Sequence, residues 1–178
     1  PPATGAQARA LELRFGALFF VSGAAALVYQ VLFAKKLALV FGSTATASFT
    51  VLATFLGGMA LGSLIGGALA HRVRKPLVAY AVIEMGIAAY CVLTPALFDA
   101  VQALYVGVAG GMPPSDPMLL ALRVAMGALV LLVPTVLMGA TLPLMAQALG
   151  PASGHMGVRV AWLYFANTAG ASLGALAT

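Results

Sequence analysis

A long uncharged stretch that ends in a basic cluster constrains this chain more than any other feature. Residues 37–70 contain no charged side chain, and Arg72, Arg74 and Lys75 follow directly. At a rise of 1.5 Å per residue, about 20 apolar residues cross the ~30 Å hydrocarbon core of a bilayer. The stretch therefore predicts a transmembrane helix that ends at a basic membrane surface.

Glycines recur at four-residue spacing in two of the apolar stretches. Gly58, Gly62 and Gly66 share one face of the helix just described, and Gly170 and Gly174 repeat the spacing later in the sequence. A face without side chains lets two helices approach backbone to backbone, which is a main source of helix association in lipid. We expect both faces to be helix-packing surfaces.

The composition argues against a soluble fold. The chain has 178 residues, of which 62% are hydrophobic and 7% are charged, whereas soluble domains carry roughly 25% charged residues. The net charge is +5, but the basic residues mostly flank apolar runs, so we expect no nucleic-acid partner. The last apolar run has no polar flank, and we expect these residues to be part of a longer polypeptide.

The order of apolar runs and turns predicts an all-α, polytopic integral membrane bundle of about five crossings. Residues 1–11 form a Pro- and Ala-rich lead that we expect to be flexible, and residues 12–178 form a single transmembrane domain. The predicted spans cover residues 14–34, 46–70, 77–93, 118–142 and 158–178.

One segment between the third and fourth spans has a different pattern. Residues 96–109 place apolar side chains on one face, with Asp99 and Gln102 opposite, which is typical of a helix in the membrane interface. The alternative is that the third helix continues past a kink at Pro95.

The distribution of basic residues predicts the orientation. With the amino terminus in the cytoplasm, five crossings place the larger group of basic residues inside, as the positive-inside rule favours. This cytoplasmic group consists of Arg9, Arg14, Arg72, Arg74, Lys75 and Arg159, against Lys35, Lys36 and Arg123 outside. We therefore expect an integral protein of the bacterial inner membrane with a cytoplasmic amino terminus.

Polar side chains inside the spans are the candidate functional residues. Glu84 lies about eight residues, or ~12 Å, into the third span. A carboxylate in lipid costs several kcal/mol and usually faces protein or water. Glu84 therefore predicts either a site that handles a proton or a cation, or a structural anchor that is protonated or paired with an Arg, Lys or Tyr of a neighbouring helix.

Four further side chains complete the candidate intramembrane polar site. Tyr29 and Gln30 are adjacent in the first span and are typical of hydrogen bonds between helices. Lys35 either extends to the interface or turns inward to a carboxylate. Asn167 lies in the fifth span, where we expect it to act as a polar clip between helices.

The sequence contains no complete catalytic set and no cofactor motif. It has no GxGxxG string, no P-loop and no CxxC. Its histidines, His71 and His155, are too isolated for a metal site. We expect no catalytic residues, no metal and no cofactor within this chain.

Four segments together resemble one protein family. They are SGAAALVYQVLFAKKLALVFGSTATA, GMALGSLIGGALAHRVRKPL, LLVPTVLMGATLPLMAQALG and LYFANTAGASLGAL. In order and spacing they are similar to the multi-pass spermidine synthase-like proteins, the fused major-facilitator/spermidine synthase family, and the likeness covers most of residues 15–178. The acidic residue at position 84 also looks like the family's pattern.

The resemblance implies a membrane domain that in many members precedes a soluble, Rossmann-like aminopropyltransferase domain. We therefore expect this chain to anchor or serve polyamine-related chemistry, with catalysis only if such a domain follows. One alternative is a major-facilitator-like transport module in which Glu84 recognises a cationic small molecule or a proton. Another is a non-catalytic subunit of a larger membrane complex, packed through its glycine faces. The expected partners are lipid, other membrane helices or subunits, and a polyamine or other cation.

Overall fold

The chain folds into a bundle of long α-helices. The computed structural model describes residues 5–41, 44–110, 117–149 and 156–178, and no strand occurs among them. The predicted all-α bundle is therefore confirmed. The helices are α1 (Gly5–Phe41), α2 (Thr44–Ala70), α3 (Pro76–Ala109), α4 (Pro117–Ala148) and α5 (Met156–Leu176).

Four of these helices, α1 to α4, are long and apolar enough to cross a membrane. The chain thus has the character of an integral membrane protein. Helix α5 has 21 residues and is not in this set, because Arg159, Asn167, Thr168 and several small residues lower its hydropathy. The predicted fifth crossing therefore stays a prediction.

Two pairs of parallel helices form the main contacts of the bundle, α2 with α4 and α1 with α5. Successive helices run in opposite directions, so α2 and α4 point one way and α1 and α5 point the other way. Helix α4 is the central element, since it packs on α2 and α3 and also touches α1 and α5. Its side chains at Leu131, Thr135 and Met145 are fully buried.

The α2–α4 seam is closed by glycines. A Cβ at Gly62 would collide with the carbonyl oxygen of Val136, and one at Gly58 would collide with Thr135. From the other side, Gly139 of α4 lies against the backbone of Met59. Backbone-to-backbone contact of this kind needs small residues on both helices. Gly66 continues the seam toward the end of α2, where it faces Ala140.

The α1–α5 seam uses the same device. A Cβ at Gly170 would collide with the carbonyl oxygen of Phe20, and one at Gly174 with that of Ala24. On α1, Gly23 lies against the backbone and side chain of Asn167. Helix α5 is therefore packed closely along α1, even though its own hydropathy is modest.

Helix α3 is one continuous helix, whereas the sequence pattern favours a span followed by a separate interfacial helix. It runs unbroken from Pro76 to Ala109 with Pro95 inside, so the predicted interfacial helix over 96–109 is wrong and the alternative, a continuous third helix, is correct. Proline is tolerated in membrane helices where side chains and neighbours satisfy the freed backbone groups. Pro95 frees the Cys91 carbonyl, whereas the Thr94 hydroxyl, one residue before the proline, donates to the Tyr90 carbonyl at 2.9 Å. The packed face also continues past the proline, because Phe98 is buried against α1 and α4.

The amino-terminal lead also differs from its prediction. Residues 5–11 belong to α1 rather than to a flexible segment over 1–11. They are mostly Ala, Leu, Arg and Gln, which are strong helix formers. Residues 1–4, 42–43, 111–116 and 150–155, and with them His155, lie outside the described residues.

Candidate functional site

One end of the bundle collects most of the basic residues. It is where α2 and α4 end and where α1, α3 and α5 begin, and we call it the basic end. Glu12 of α1 and Arg159 of α5 form an ion pair there at 2.9 Å. The Gln147 side chain donates to the Val73 carbonyl at 3.2 Å, which ties the loop after α2 to α4. That loop exposes the predicted basic residues Arg72, Arg74 and Lys75.

Each helix carries a polar side chain at a similar distance from the basic end. Counted from Arg14, Ala70, Pro76, Ala148 and Arg159 on the five helices, these side chains lie seven or eight residues from the basic end, or ~10–12 Å by helix rise. We call them the polar layer, and they are Ser22 of α1, Ser63 of α2, Glu84 of α3, Thr141 of α4 and Asn167 of α5. The layer therefore lies at one depth inside the apolar part of the bundle.

Glu84 is the charged member of this layer and is held across the bundle. The Ser22 hydroxyl donates to its Oε1 at 2.7 Å, and the Tyr80 hydroxyl, one turn earlier in α3, interacts with both groups. Tyr80 is itself buried and stacks on Phe19 with ring centroids 5.8 Å apart. The hydroxyls of Ser22 and Tyr80 thus both lie beside the Glu84 carboxylate.

Among the described residues, Glu84 has no basic side chain within ion-pair distance. The ion pair that these residues form joins Glu12 and Arg159. An intramembrane carboxylate is retained at a cost of several kcal/mol and usually pairs with another group. The geometry leaves Glu84 able to accept a further donor from outside the chain.

A small cavity lies beside the Glu84 carboxylate. Its volume is about 80 Å³, which is the share of liquid volume taken by roughly two or three water molecules. An ammonium group with its first carbons has a similar size. The lining residues are Ser22, Ala25, Ala26, Tyr29, Glu84, Ile87, Ala88 and Met138.

A larger cavity adjoins the first one, because Ser22, Ala26 and Met138 line both. Its volume is about 240 Å³, and its walls come from α1, α2, α4 and α5. Three further members of the polar layer, Ser63, Thr141 and Asn167, line it among apolar side chains. The polar layer therefore lies beside two neighbouring spaces, which share Ser22, Ala26 and Met138 as lining residues, and Glu84 lines the smaller one.

The structure brings some of the predicted site residues together and separates others. Tyr29 lies beside Glu84 in the smaller cavity, where its hydroxyl also contacts the Cys91 thiol. Asn167 lines the larger cavity. Gln30 is half-buried on α1 and lines neither space. Lys35 is exposed and donates to the backbone oxygen of Thr178 at 2.9 Å, so it does not turn inward to a carboxylate.

Sequence reasoning did not find Ser22, Tyr80, Ser63 or Thr141. Serine and threonine are common in membrane helices and carry little signal one at a time. The signal for Ser22, Ser63 and Thr141 is their depth, since each lies seven or eight residues from a basic residue or a helix end at the basic end of the bundle, as Glu84 and Asn167 do. Tyr80 lies one turn nearer to that end and does not share this signal.

The arrangement offers one carboxylate and neighbouring hydroxyls among apolar side chains. Among the described residues, no group of three or more His, Cys, Asp or Glu side chains lies close enough to hold a metal ion. A lone carboxylate with two hydroxyls and an apolar surround fits an organic ammonium group, which needs one negative charge and a few acceptors.

The chain matches no family model, no curated protein and no solved structure. The resemblance to the spermidine synthase-like family therefore rests on the four sequence segments quoted above.

Proposed function

We propose that this chain is the membrane domain of a spermidine synthase-like protein and that its Glu84 cavity binds the ammonium group of a polyamine or a similar amine. The observation that carries the proposal is the Glu84 carboxylate, which lies within a span, accepts from Ser22 at 2.7 Å and borders an internal cavity. The proposal concerns amine recognition in the membrane and assigns no catalytic step to these residues.

The electrostatics of the site favour a cation. A charge-assisted hydrogen bond is shorter and about twice as strong as a neutral one, and the low dielectric of the bundle interior increases the attraction between opposite charges. The positive charge of an ammonium group would offset the desolvation of Glu84, and the Tyr29 and Ser22 hydroxyls offer oxygen acceptors beside it. A neutral donor gains the charge-assisted hydrogen bond but not the attraction between opposite charges, and an anion gains neither.

Equilibrium binding of radiolabelled putrescine and spermidine to the detergent-solubilised protein tests the proposal. We expect Glu84→Gln to weaken binding about 10- to 100-fold, because loss of a hydrogen bond to a charged group costs about 1.5–3 kcal/mol. The matched control is Asp99→Asn, which removes a carboxylate from an exposed position of the same helix and should leave the dissociation constant unchanged. Equal affinity of Glu84→Gln and the parent protein would refute amine recognition by Glu84.

A transport function is a second proposal, favoured by the depth of the polar layer. Sites about one third of the way into a bundle suit a substrate that must reach both surfaces, and intramembrane carboxylates mark cation and proton pathways in many transporters. Uptake of putrescine into proteoliposomes separates transport from simple binding. Uptake that Glu84→Gln abolishes would favour the transport module, whereas binding without uptake would favour the domain as a membrane-bound amine receptor.

The structure gives less support to a purely structural subunit that assembles through its glycine faces. Gly62 and Gly66 face α4, and Gly170 and Gly174 face α1. Helices of the same chain therefore already cover these faces. A fixed partner would have to bind a different surface from the one that the sequence predicted.

A further inference from the structure

We infer that the ligand of the Glu84 site is a single-chain amphiphilic amine that reaches the site sideways from the bilayer, through a cleft between α2 and α5. The inference rests on the proposed function, since it takes amine recognition by Glu84 as given. It adds the class of amine and the route of access.

The cleft follows from how the helices pair. Helix α2 packs on α4 and helix α5 packs on α1, but α2 and α5 make hardly any direct contact. The larger cavity lies between them, with Ala60 and Ser63 on the α2 side and Tyr164 and Asn167 on the α5 side. The two seams are closed, so this space between the pairs is where the bundle wall is incomplete.

The cleft opens toward lipid. Tyr164 lines it and is 62% exposed, and Ala60 and Ser63 are also exposed. The neighbouring side chains Leu64 and Phe165 are large, apolar and exposed, as expected of residues that face hydrocarbon chains. A molecule already dissolved in the bilayer would meet this opening directly, at the depth of the polar layer.

The inner end of the cleft is lined by Ser22, the donor to the Glu84 carboxylate. Ser22 lines both cavities and donates its hydroxyl to Glu84 at 2.7 Å. An ammonium group that enters from the larger cavity would take over this donor position, so one hydrogen bond is exchanged for a charge-assisted one. The Asn167 side chain lies on the same path.

The two spaces fit a head and a tail. The smaller cavity, about 80 Å³, contains the charge, and the larger one, about 240 Å³, has mostly apolar walls. Drug-sized ligands occupy roughly 300–1,000 Å³, so the larger space is sized for one alkyl chain. A two-chain aminophospholipid exceeds it, and a short diamine such as putrescine leaves it unfilled.

The test compares alkylamines of different length as competitors of radiolabelled putrescine, with the protein in nanodiscs of phosphatidylcholine. We expect dodecylamine to displace putrescine at a concentration at least ~10-fold lower than butylamine. The variant Ala60→Trp, which fills the cleft, should remove this advantage, so that dodecylamine and butylamine displace putrescine at similar concentrations. The matched control is Gly57→Trp, the same substitution on the same helix where nothing lies within 4 Å, and it should retain the advantage.

The outcomes distinguish the inference from the function on which it rests. If putrescine itself does not bind, or binds independently of Glu84, the proposed function fails and the inference fails with it. If putrescine binds through Glu84 but dodecylamine competes no better than butylamine, or retains its advantage in a folded Ala60→Trp protein, the inference alone fails. Displacement of putrescine by nanodiscs that contain phosphatidylethanolamine would overturn the single-chain assignment. Ser63→Leu, a smaller change on the same wall, replaces Ala60→Trp if that variant does not fold.

Discussion

Helix α2 has two sides that use small residues for opposite purposes. On the side of α4, Gly58, Gly62 and Gly66 lie against the backbone of the neighbouring helix and leave no space for even one carbon atom. On the side of α5, Ala60 and Ser63 line a cavity of about 240 Å³. Both sides look alike in composition, so the difference comes from whether a partner helix is present.

The comparison shows what a small residue means in a membrane bundle. Where the facing helix also offers small residues at matching spacing, as Gly139 does, two backbones meet and the seam becomes rigid. Where the facing helix is paired elsewhere, the same small residues leave a space. A glycine or alanine stripe in a sequence therefore predicts close contact or a cavity, and the partner decides between them.

The largest effect is expected from filling the α2–α4 seam. Gly62→Leu places a side chain where the carbonyl of Val136 already lies, and the two backbones must separate. We expect a loss of stability at the upper end of the ~1–3 kcal/mol typical of overpacking, seen as a lower thermal midpoint and as loss of the monodisperse peak in size-exclusion chromatography. The control is Gly67→Leu, on the face where nothing lies within 4 Å. Equal melting of the two variants would contradict the assignment of the seam.

A smaller effect is expected where α3 is joined to the central helix. The Tyr90 hydroxyl donates to the Val130 carbonyl at 2.8 Å, and Tyr90→Phe removes this donor while keeping the ring. We expect a loss of about 1 kcal/mol, measured as the shift of the unfolding midpoint in mixed micelles. A matched control is Tyr164→Phe, because Tyr164 is exposed at the cleft. A larger shift of the unfolding midpoint for Tyr164→Phe than for Tyr90→Phe would contradict the assignment of Tyr90 to a packed side and Tyr164 to an open side of the bundle.

At the Glu84 cavity we expect a still smaller change in stability. Ser22→Ala removes the donor to Glu84 at 2.7 Å, and hydrogen bonds between membrane helices average only about 0.6 kcal/mol. Amine binding should persist, since the carboxylate remains and the ammonium group replaces the lost donor. Titration calorimetry with putrescine checks this. Complete loss of binding would show that the Ser22 hydroxyl itself binds the amine.

The smallest effect is expected at the membrane surface. Glu12→Gln breaks the ion pair with Arg159. The Glu12 side chain is 35% exposed and the Arg159 side chain is 23% exposed. Partly exposed pairs contribute about 0.2–1 kcal/mol, and salt screens them. The difference in thermal midpoint between Glu12→Gln and the parent should therefore shrink as sodium chloride is raised. A difference that salt does not reduce would mean that Glu12 stabilises the α1–α5 seam in another way.

The sequence predicted the features that depend on local pattern. Long uncharged runs identify the helices, and the spacing of Gly58, Gly62 and Gly66 identifies a face. Glu84 is recognisable because a charge within an apolar run is rare. These signals need only neighbouring residues, so one sequence is sufficient for them.

The remainder depends on which helices meet, and that information is not local. Ser22 bonds to a residue 62 positions away, and nothing near either residue indicates the pairing. For Lys35 the sequence leaves two alternatives open, extension to the interface or an inward turn to a carboxylate, and only the structure shows that it is exposed and bonds to Thr178. Pro95 favours a helix break in the sequence because proline lacks a backbone N–H donor. The packing of α3 on neighbouring helices, which allows the helix to continue through Pro95, cannot be read from the sequence.

The parallel pairing of α1 with α5 has a consequence for how the protein is made. Ribosomes add about 5–20 residues per second, so α1 enters the bilayer several seconds before its partner is synthesised. During that time Gly16 and Gly23, which lie against Trp162 and Asn167 in the finished bundle, face lipid or an insertion chaperone. The α1–α5 seam therefore forms only after α5 has entered the membrane.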